Sequence, residues 1–312
     1  MKLYSVKGSK LSSISGQDFR LEKDIQNIIE NNLESLFNIH FVKSELTIKS
    51  FRVDTLAFDP ENKSFIIIEY KKGRNYSVID QGYTYMSLLL NNKADFILEY
   101  NENCGGKLKR DDVDWSQSKV IFISPNFTDY QKHSVNFKDV PFELWEIKQY
   151  ENSLIGLVQL KTSSDESITN TLLGKDESIV KSVSQEVRLT KEEDHLNHKK
   201  VTESTKQLYA DLKERILNLG PDIEIIPRKM YIGYKRKSNF FSIYVGKNEL
   251  WCWINLKNGE LDDPKGICRD VSQIGHYAPG EYDLSIKINS DLDYVMFFTS
   301  VRLRTDFNSI KH

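Results

Sequence analysis

The stretch Phe51-Arg52-Val53-Asp54-Thr55-Leu56-Ala57-Phe58-Asp59-Pro60-Glu61-Asn62-Lys63-Ser64-Phe65-Ile66-Ile67-Ile68-Glu69-Tyr70-Lys71 decides the reading of this chain. Residues 51 to 58 read as one strand, the polar residues 59 to 63 as a turn, and residues 64 to 71 as a second strand. A turn centred between Glu61 and Asn62 sets Asp54 directly opposite Glu69, where Cβ atoms lie roughly 4.5–5.5 Å apart. Two carboxylates then converge. The period of 2 along a strand puts Lys71 on the same face as Glu69.

Two anions so close repel each other unless a cation sits between them. Asp54 and Glu69 supply the hard oxygen ligands that Mg²⁺ prefers, with Mn²⁺ able to substitute, and such an ion is commonly held by one or two carboxylates plus substrate phosphate oxygens. A lysine beside it can position or deprotonate an attacking water. A decorated surface hairpin would carry the same three residues, so the context outside the hairpin has to decide.

Upstream, residues 18 to 37 read as one helix, with Leu21, Ile25, Ile28, Ile29, Leu33 and Leu36 at helical spacing. Glu22 falls inside that apolar stripe, which directs its carboxylate toward the interior or a cleft, while Glu30 lies at the edge and reads as solvated. Glu22 is therefore the preferred third carboxylate. Downstream, Gln81 and Tyr85 open the next helical stretch one turn apart, and both can donate hydrogen bonds to a phosphate or a catalytic carboxylate.

Taken in order, Glu22, Asp54, Glu69-x-Lys71 and Gln81-x-x-x-Tyr85 resemble the PD-(D/E)XK nuclease superfamily, which includes restriction enzymes, Holliday-junction resolvases and RecB-type nucleases. The likeness is closer to a prokaryotic family with a Glu-Lys-Asp-(Ile/Leu)-Gln helix, an Arg-x-Asp-x-Leu strand, and Glu-Tyr-Lys followed by Val-Ile-x-Gln-Gly-x-x-Tyr. Those motifs stand here at residues 22–26, 52–56, 69–71 and 78–85. The resemblance implies a Mg²⁺-dependent deoxyribonuclease with Asp54, Glu69 and Glu22 at the metal, Lys71 as catalytic lysine and Gln81 ordering the site. Val53 stands where the superfamily name has proline. A role in repair or in defence against foreign DNA suits the resemblance; a homodimer is a separate expectation.

The implied fold is α/β: a restriction-endonuclease-like mixed sheet flanked by helices over residues 1–160, a flexible polar linker over 161–203, and a smaller α+β domain over 204–312. Residues 151 to 208 contain no Phe, Trp or Tyr, and residues 162 to 202 are rich in Ser, Thr, Asp, Glu and Lys. His195 and His198 fall there and read as a solvated pair. The helix order of the first block is followed by expected strands at residues 96–100, 120–124 and 142–147. The second block, with Lys229-Met230-Tyr231-Ile232-Gly233-Tyr234, Leu250-Trp251-Cys252-Trp253-Ile254 and Asp262-Asp263-Pro264-Lys265-Gly266, resembles a domain of unknown function found behind such nuclease domains.

With 312 residues, 39% hydrophobic and 28% charged, the chain has room for two cores. The formal net charge of −2 gives no global attraction to a polyanion, so nucleic-acid binding needs local patches. One candidate is Arg228, Lys229, Lys235, Arg236 and Lys237 interleaved with Tyr231, Tyr234, Phe240 and Phe241, with Tyr85 a further DNA contact near the carboxylates. Another is Lys107-Leu108-Lys109-Arg110. Cys104, Cys252 and Cys268 fit neither a disulfide framework nor a zinc site and read as buried small hydrophobes. A polar, basic N-terminus without an apolar segment makes the cytoplasm the expected location. Phosphate-cradling and dinucleotide-binding glycine motifs are missing, and His40, His133 and His276 lack a nucleophile-elbow setting. The leading expectation is a DNA nuclease. The alternatives are a nucleic-acid-binding module without cleavage and a protein-interaction module acting through the C-terminal domain.

Overall fold

A computed structural model describes residues 2–72, 77–137, 139–161, 164, 166–168, 177–198, 200–236 and 238–299. The chain divides into two compact units, Met1–Leu189 and Thr190–His312. No helix among the described residues is long and apolar enough to cross a membrane.

The first unit opens with a hairpin of β1 (Leu3–Lys7) and β2 (Lys10–Ile14), then β3 (Gly16–Gln17). Helices α1 (Glu22–Glu30) and α2 (Leu33–Phe37) follow, then β4 (His40–Ile48), β5 (Phe51–Asp59) and β6 (Ser64–Tyr70). After α3 (Val78–Asn91) and α4 (Lys93–Cys104) come β7 (Lys119–Ser124), α5 (Asp129–Ser134), β8 (Phe142–Tyr150), β9 (Leu154–Leu160) and α6 (Glu177–Glu186). Seven strands form one mixed sheet in the order β3-β8-β7-β6-β5-β4, with β9 also on β8. Pairing is antiparallel from β4 to β6 and parallel from β6 through β7 to β8.

Helices cover both faces of this sheet. Ile66, Ile68 and Tyr70 pack with Ile25, Ile29 and Leu33 of α1 and α2. Phe65 and Ile67 point the other way, into a core shared with α3, α4 and α6. The near-continuous apolar run of β6 is what a central strand buried on two sides requires. Gly82 lets α3 approach β8, since a Cβ there would lie 2.7 Å from the ring of Phe142. Gly82→Ala is expected to overpack this contact, cost about 1–3 kcal/mol and lower the thermal midpoint; an unchanged melting curve would refute the close-packing account.

Four expectations are corrected here. The helix over residues 18–37 is broken at Asn31 and Asn32, whose side-chain amides donate back to the carbonyls of Asn27 and Ile28 at 2.7 Å each. The strand expected at residues 96–100 lies inside α4. Phe96 and Tyr100, four apart and so on one helical face, both pack against Phe65. The segment 161–203 is not a flexible linker throughout. Within it α6 buries Val180 and Val183, with Val187 just beyond, in the core beside α3. That i, i+3, i+7 spacing supplies an apolar face without any aromatic residue. Finally, Cys104 is exposed, while Cys252 is buried.

The second unit contains α7 (Glu192–Leu196), α8 (Glu203–Leu217) and a six-stranded antiparallel sheet. Its strands are β10 (Glu224–Pro227), β11 (Ile232–Lys235), β12 (Asn239–Val245), β13 (Leu250–Ile254), β14 (Arg269–Asp270) and β15 (Tyr282–Ile286), in the order β10-β11-β12-β13-β15-β14. Leu208, Tyr209, Leu212 and Ile216 of α8 pack into its core. The chain is thus a mixed α/β sheet flanked by helices, with a separate smaller sheet domain.

Candidate active site

The hairpin of β5 and β6 runs in the register Asp59↔Ser64 to Thr55↔Ile68, so the next pair along it is Asp54 and Glu69. By strand alternation both side chains leave the sheet on the α3 side, the face of Leu56 and Ile67. Glu69 is only 2% exposed. Its Oε1 accepts from Lys71 Nζ at 2.6 Å and from Gln81 Nε2 at 2.8 Å. Its Oε2 is buried with no hydrogen-bond partner. Gln81 Nε2 also donates to the Tyr85 hydroxyl at 3.0 Å, and that hydroxyl donates to the Arg52 carbonyl at 3.1 Å. One turn of α3 thereby ties β6 to β5.

Asp54 is half-buried and accepts the backbone N–H of Tyr70 on Oδ2 at 3.0 Å. Burial pushes its carboxyl above the usual range, against the Tyr70 N–H and Lys71, and the charges of Glu45 and Glu22 add to the rise. Glu69 is raised for the same first reason, burial, and then by Asp54, with Lys71 opposing. Two carboxyls that resist ionisation, one with an orphaned oxygen, suit a divalent cation. Oxygen ligands of this kind fit Mg²⁺ or Mn²⁺, and the orphaned Oε2 lacks the partner that a buried carboxylate oxygen requires. Groups of three or more His, Cys, Asp or Glu placed to hold a metal do not occur among the described residues.

The three-carboxylate expectation is corrected accordingly. Glu22 is exposed, and its Oε1 accepts the backbone N–H of Lys72 at 2.8 Å. It begins a helix packed on the opposite face of the sheet, so it reaches the end of β6 from the other side and touches the site through charge on Asp54. Glu30, read as solvated, is instead drawn into a network. It accepts from Thr55 Oγ1 at 2.5 Å and from Gln26 Nε2 at 2.8 Å, while Thr55 Oγ1 lies 3.1 Å from the Tyr70 hydroxyl. Gln26, 4% exposed, also donates to the Asp54 carbonyl at 3.0 Å. These supports were missed, although a glutamine inside the apolar stripe of α1 was a readable signal. Glu30→Gln is expected to cost about 1–2 kcal/mol by weakening charge-assisted bonds, while Glu22→Gln should stay within about 0.5 kcal/mol. Chemical denaturation of the two variants checks the order, and equal stabilities would refute it.

The expected nucleic-acid patch of the second unit is not formed as a stacking surface. Tyr231, Tyr234, Phe240 and Phe241 are buried in the cores of that unit. Lys235 is 7% exposed, and Arg236 Nε pairs with Asp222 Oδ2 at 2.6 Å. Lys229 is exposed, Arg228 is buried, and Lys237 lies outside the described residues. The rings fill the sheet's interior, so no aromatic face of this group is available to a base. Tyr85 is likewise buried, and its hydroxyl serves Gln81 rather than an outside ligand. His195 is not solvated: its Nε2 lies 2.8 Å from the Arg228 carbonyl, and burial lowers its pKa. Lys107, Lys109 and Arg110 are exposed, as expected of a basic turn.

Over 297 residues, 95% of its length, the chain is 48% identical to an uncharacterized protein of Haemophilus influenzae, covering 97% of that protein. The chain belongs to the family of that protein. Residues 192–296 match the family model described as a domain of unknown function, DUF5655. Among solved structures it is similar to the EndoMS–dsDNA2 complex, with 15% identity, a TM-score of 0.28, and coverage of 47% of this chain and 64% of that one. A repair endonuclease from Pyrococcus abyssi gives 14%, 0.25, 46% and 65%, and Pyrococcus furiosus SfsA in complex with Ca²⁺ gives 17%, 0.27, 52% and 78%. The chain spans just under two thirds of the first two of these chains. Likeness at this level says nothing of activity.

Proposed function

We propose that this protein is a Mg²⁺-dependent nuclease of the PD-(D/E)XK type that hydrolyses phosphodiester bonds in DNA. The observation that carries the reading is Glu69: one carboxylate oxygen is held by Lys71 and Gln81, and the other is buried without a partner beside Asp54. Asp54 and Glu69 would hold the ion. When bound, the cation supplies Lewis-acid activation of the attacking water and offsets charge gathering on the phosphoryl oxygens.

Every other step belongs to the chain's own groups. Gln81 fixes the rotation of the Glu69 carboxylate and is itself fixed by Tyr85. Lys71 Nζ, an ammonium 2.6 Å from Glu69, orients by hydrogen bonding the water that attacks phosphorus as the bond to the leaving oxygen breaks; the water's proton passes to bulk solvent, and the leaving oxygen takes one from the same source. Glu22 tunes Asp54 by charge from the far side of β6.

The test is incubation of the purified chain with Mg²⁺ or Mn²⁺ and labelled duplex DNA, single-stranded DNA and RNA, with an Asp54→Asn control. Metal-dependent cleavage of DNA that the control lacks supports the reading. Cleavage equal in the control, or binding without cleavage of any substrate, overturns it, and RNA cleavage alone would change the substrate.

A further inference from the structure

The proposed nuclease reading leaves the first strands without a role. Residues 3–14 form a two-stranded sheet by themselves, β1 against β2, joined by the turn Gly8-Ser9 with Gly8 at φ 63°. Outside its base, where Leu3 and Ile14 are part-buried, every residue is exposed. An isolated two-stranded hairpin is marginal in water, so this one is expected to have a partner.

Its charge says which. Residues 1–17 carry Lys2, Lys7 and Lys10 and no Asp or Glu, in a chain whose net charge is −2. Lys7 and Lys10 are directly paired across the ladder. Like charges directly opposed are destabilising, and no side chain of opposite sign stands in the hairpin to offset them. Ser5 and Ser12 follow on the same face, with Ser5 Oγ donating to the Ser12 carbonyl at 3.5 Å. An anion between the two ammonium groups would relieve the repulsion, and serine hydroxyls are common phosphate donors.

We propose that this hairpin is a β-ribbon arm that grips the phosphate backbone of duplex DNA, outside the carboxylate site. A two-stranded ribbon has the width of the major groove. Strands of five residues reach about 17 Å, enough to follow several phosphates. The chain runs from the arm through β3 and Arg20 into α1, and Lys72 Nζ, at the end of β6, donates to the Arg20 carbonyl at 2.6 Å. Arm and site therefore join through residues 15–21, whose Asp18 and Arg20 cancel in charge, so the arm's positive charge is that of its own lysines. The inference rests on the nuclease reading for its substrate. The opposite face of the ribbon, with Tyr4, Val6 and Leu11 exposed, would suit a second copy of the chain, and the test includes that outcome.

The experiment measures binding of the full chain to a labelled duplex in EDTA by fluorescence anisotropy, between about 50 and 200 mM salt. The Lys7→Gln/Lys10→Gln variant is expected to bind about 3- to 10-fold more weakly at the low end. Its log–log salt slope should be shallower by up to about 0.9 per lost contact. The melting temperature should not fall, because two opposed charges are gone. Val6→Ser/Leu11→Ser should leave both the affinity and the solution mass unchanged. An unchanged slope in the lysine variant, with wild type binding well, removes the arm's role and leaves the nuclease reading standing. A change of solution mass in the Val6/Leu11 variant assigns the hairpin to a second copy and overturns the proposal. A wild-type chain that neither binds nor cuts DNA ends both.

Discussion

Asp54→Asn and Glu69→Gln proteins, assayed with Mg²⁺ on labelled DNA, are expected to lose at least about 10²-fold in cleavage rate, because each would exchange an anionic ligand for a neutral amide at the proposed ion site. The same substitutions should make the metal-free protein more stable at neutral pH. Both carboxyls are raised above their ordinary range in the folded chain, first by burial and, for Glu69, next by Asp54. A raised pKa means that the folded state favours the protonated form. Its contribution to stability is fully present below the unfolded-state value and is lost as pH rises through the folded-state value. The wild type should therefore gain stability on mild acidification relative to Asp54→Asn, whose midpoint moves less over that window. Each kcal/mol recovered is worth about 2–4 °C in a unit of this size. Bound Mg²⁺ should reverse the ranking, raising the wild-type midpoint and not the variant's. Thermal melts across pH, with and without Mg²⁺, check all three statements, and a variant that cuts normally ends the assignment of these two residues.

Lys71→Ala should depress turnover by about 10²–10⁴-fold while a divalent ion still binds, since in the proposed mechanism the lysine acts on the water rather than on the metal. Removing it also strips Glu69 Oε1 of its 2.6 Å partner, leaving Gln81 alone on that oxygen. The loss of an opposing charge should push Glu69 further up, so metal-free stability should shift toward lower pH in this variant. Ca²⁺ titration calorimetry and single-turnover cleavage separate the two effects. Abolished metal binding in Lys71→Ala would make the lysine a structural prop of Glu69 and not a group acting on the water.

The carboxylate pair was legible because strand geometry is local. Alternation along β5 and β6 and a turn at Glu61-Asn62 suffice to oppose Asp54 and Glu69 and to bring Lys71 beside the latter, and the observed register is the one so obtained. The helical spacing of Gln81 and Tyr85 was legible for the same reason. The expectation for Glu22 failed on a question that spacing does not answer: a helix phase says which residues share a face, but not which side of the sheet the helix will cover. Because α1 lies opposite α3, Glu22 comes to the end of β6 from behind and Glu30 joins Thr55 and Tyr70.

Sequence by itself determined the hairpin, its register and the lysine beside the carboxylate, all consequences of backbone period and turn chemistry within some twenty residues. Tertiary structure alone decided that residues 96–100 continue a helix, that the valines of α6 close a core, and that Tyr231, Tyr234, Phe240 and Phe241 face inward. In each case the same short apolar or aromatic run satisfies more than one local geometry. Burial against residues distant in the chain, Phe65 for α4 and α3 for α6, selects among them.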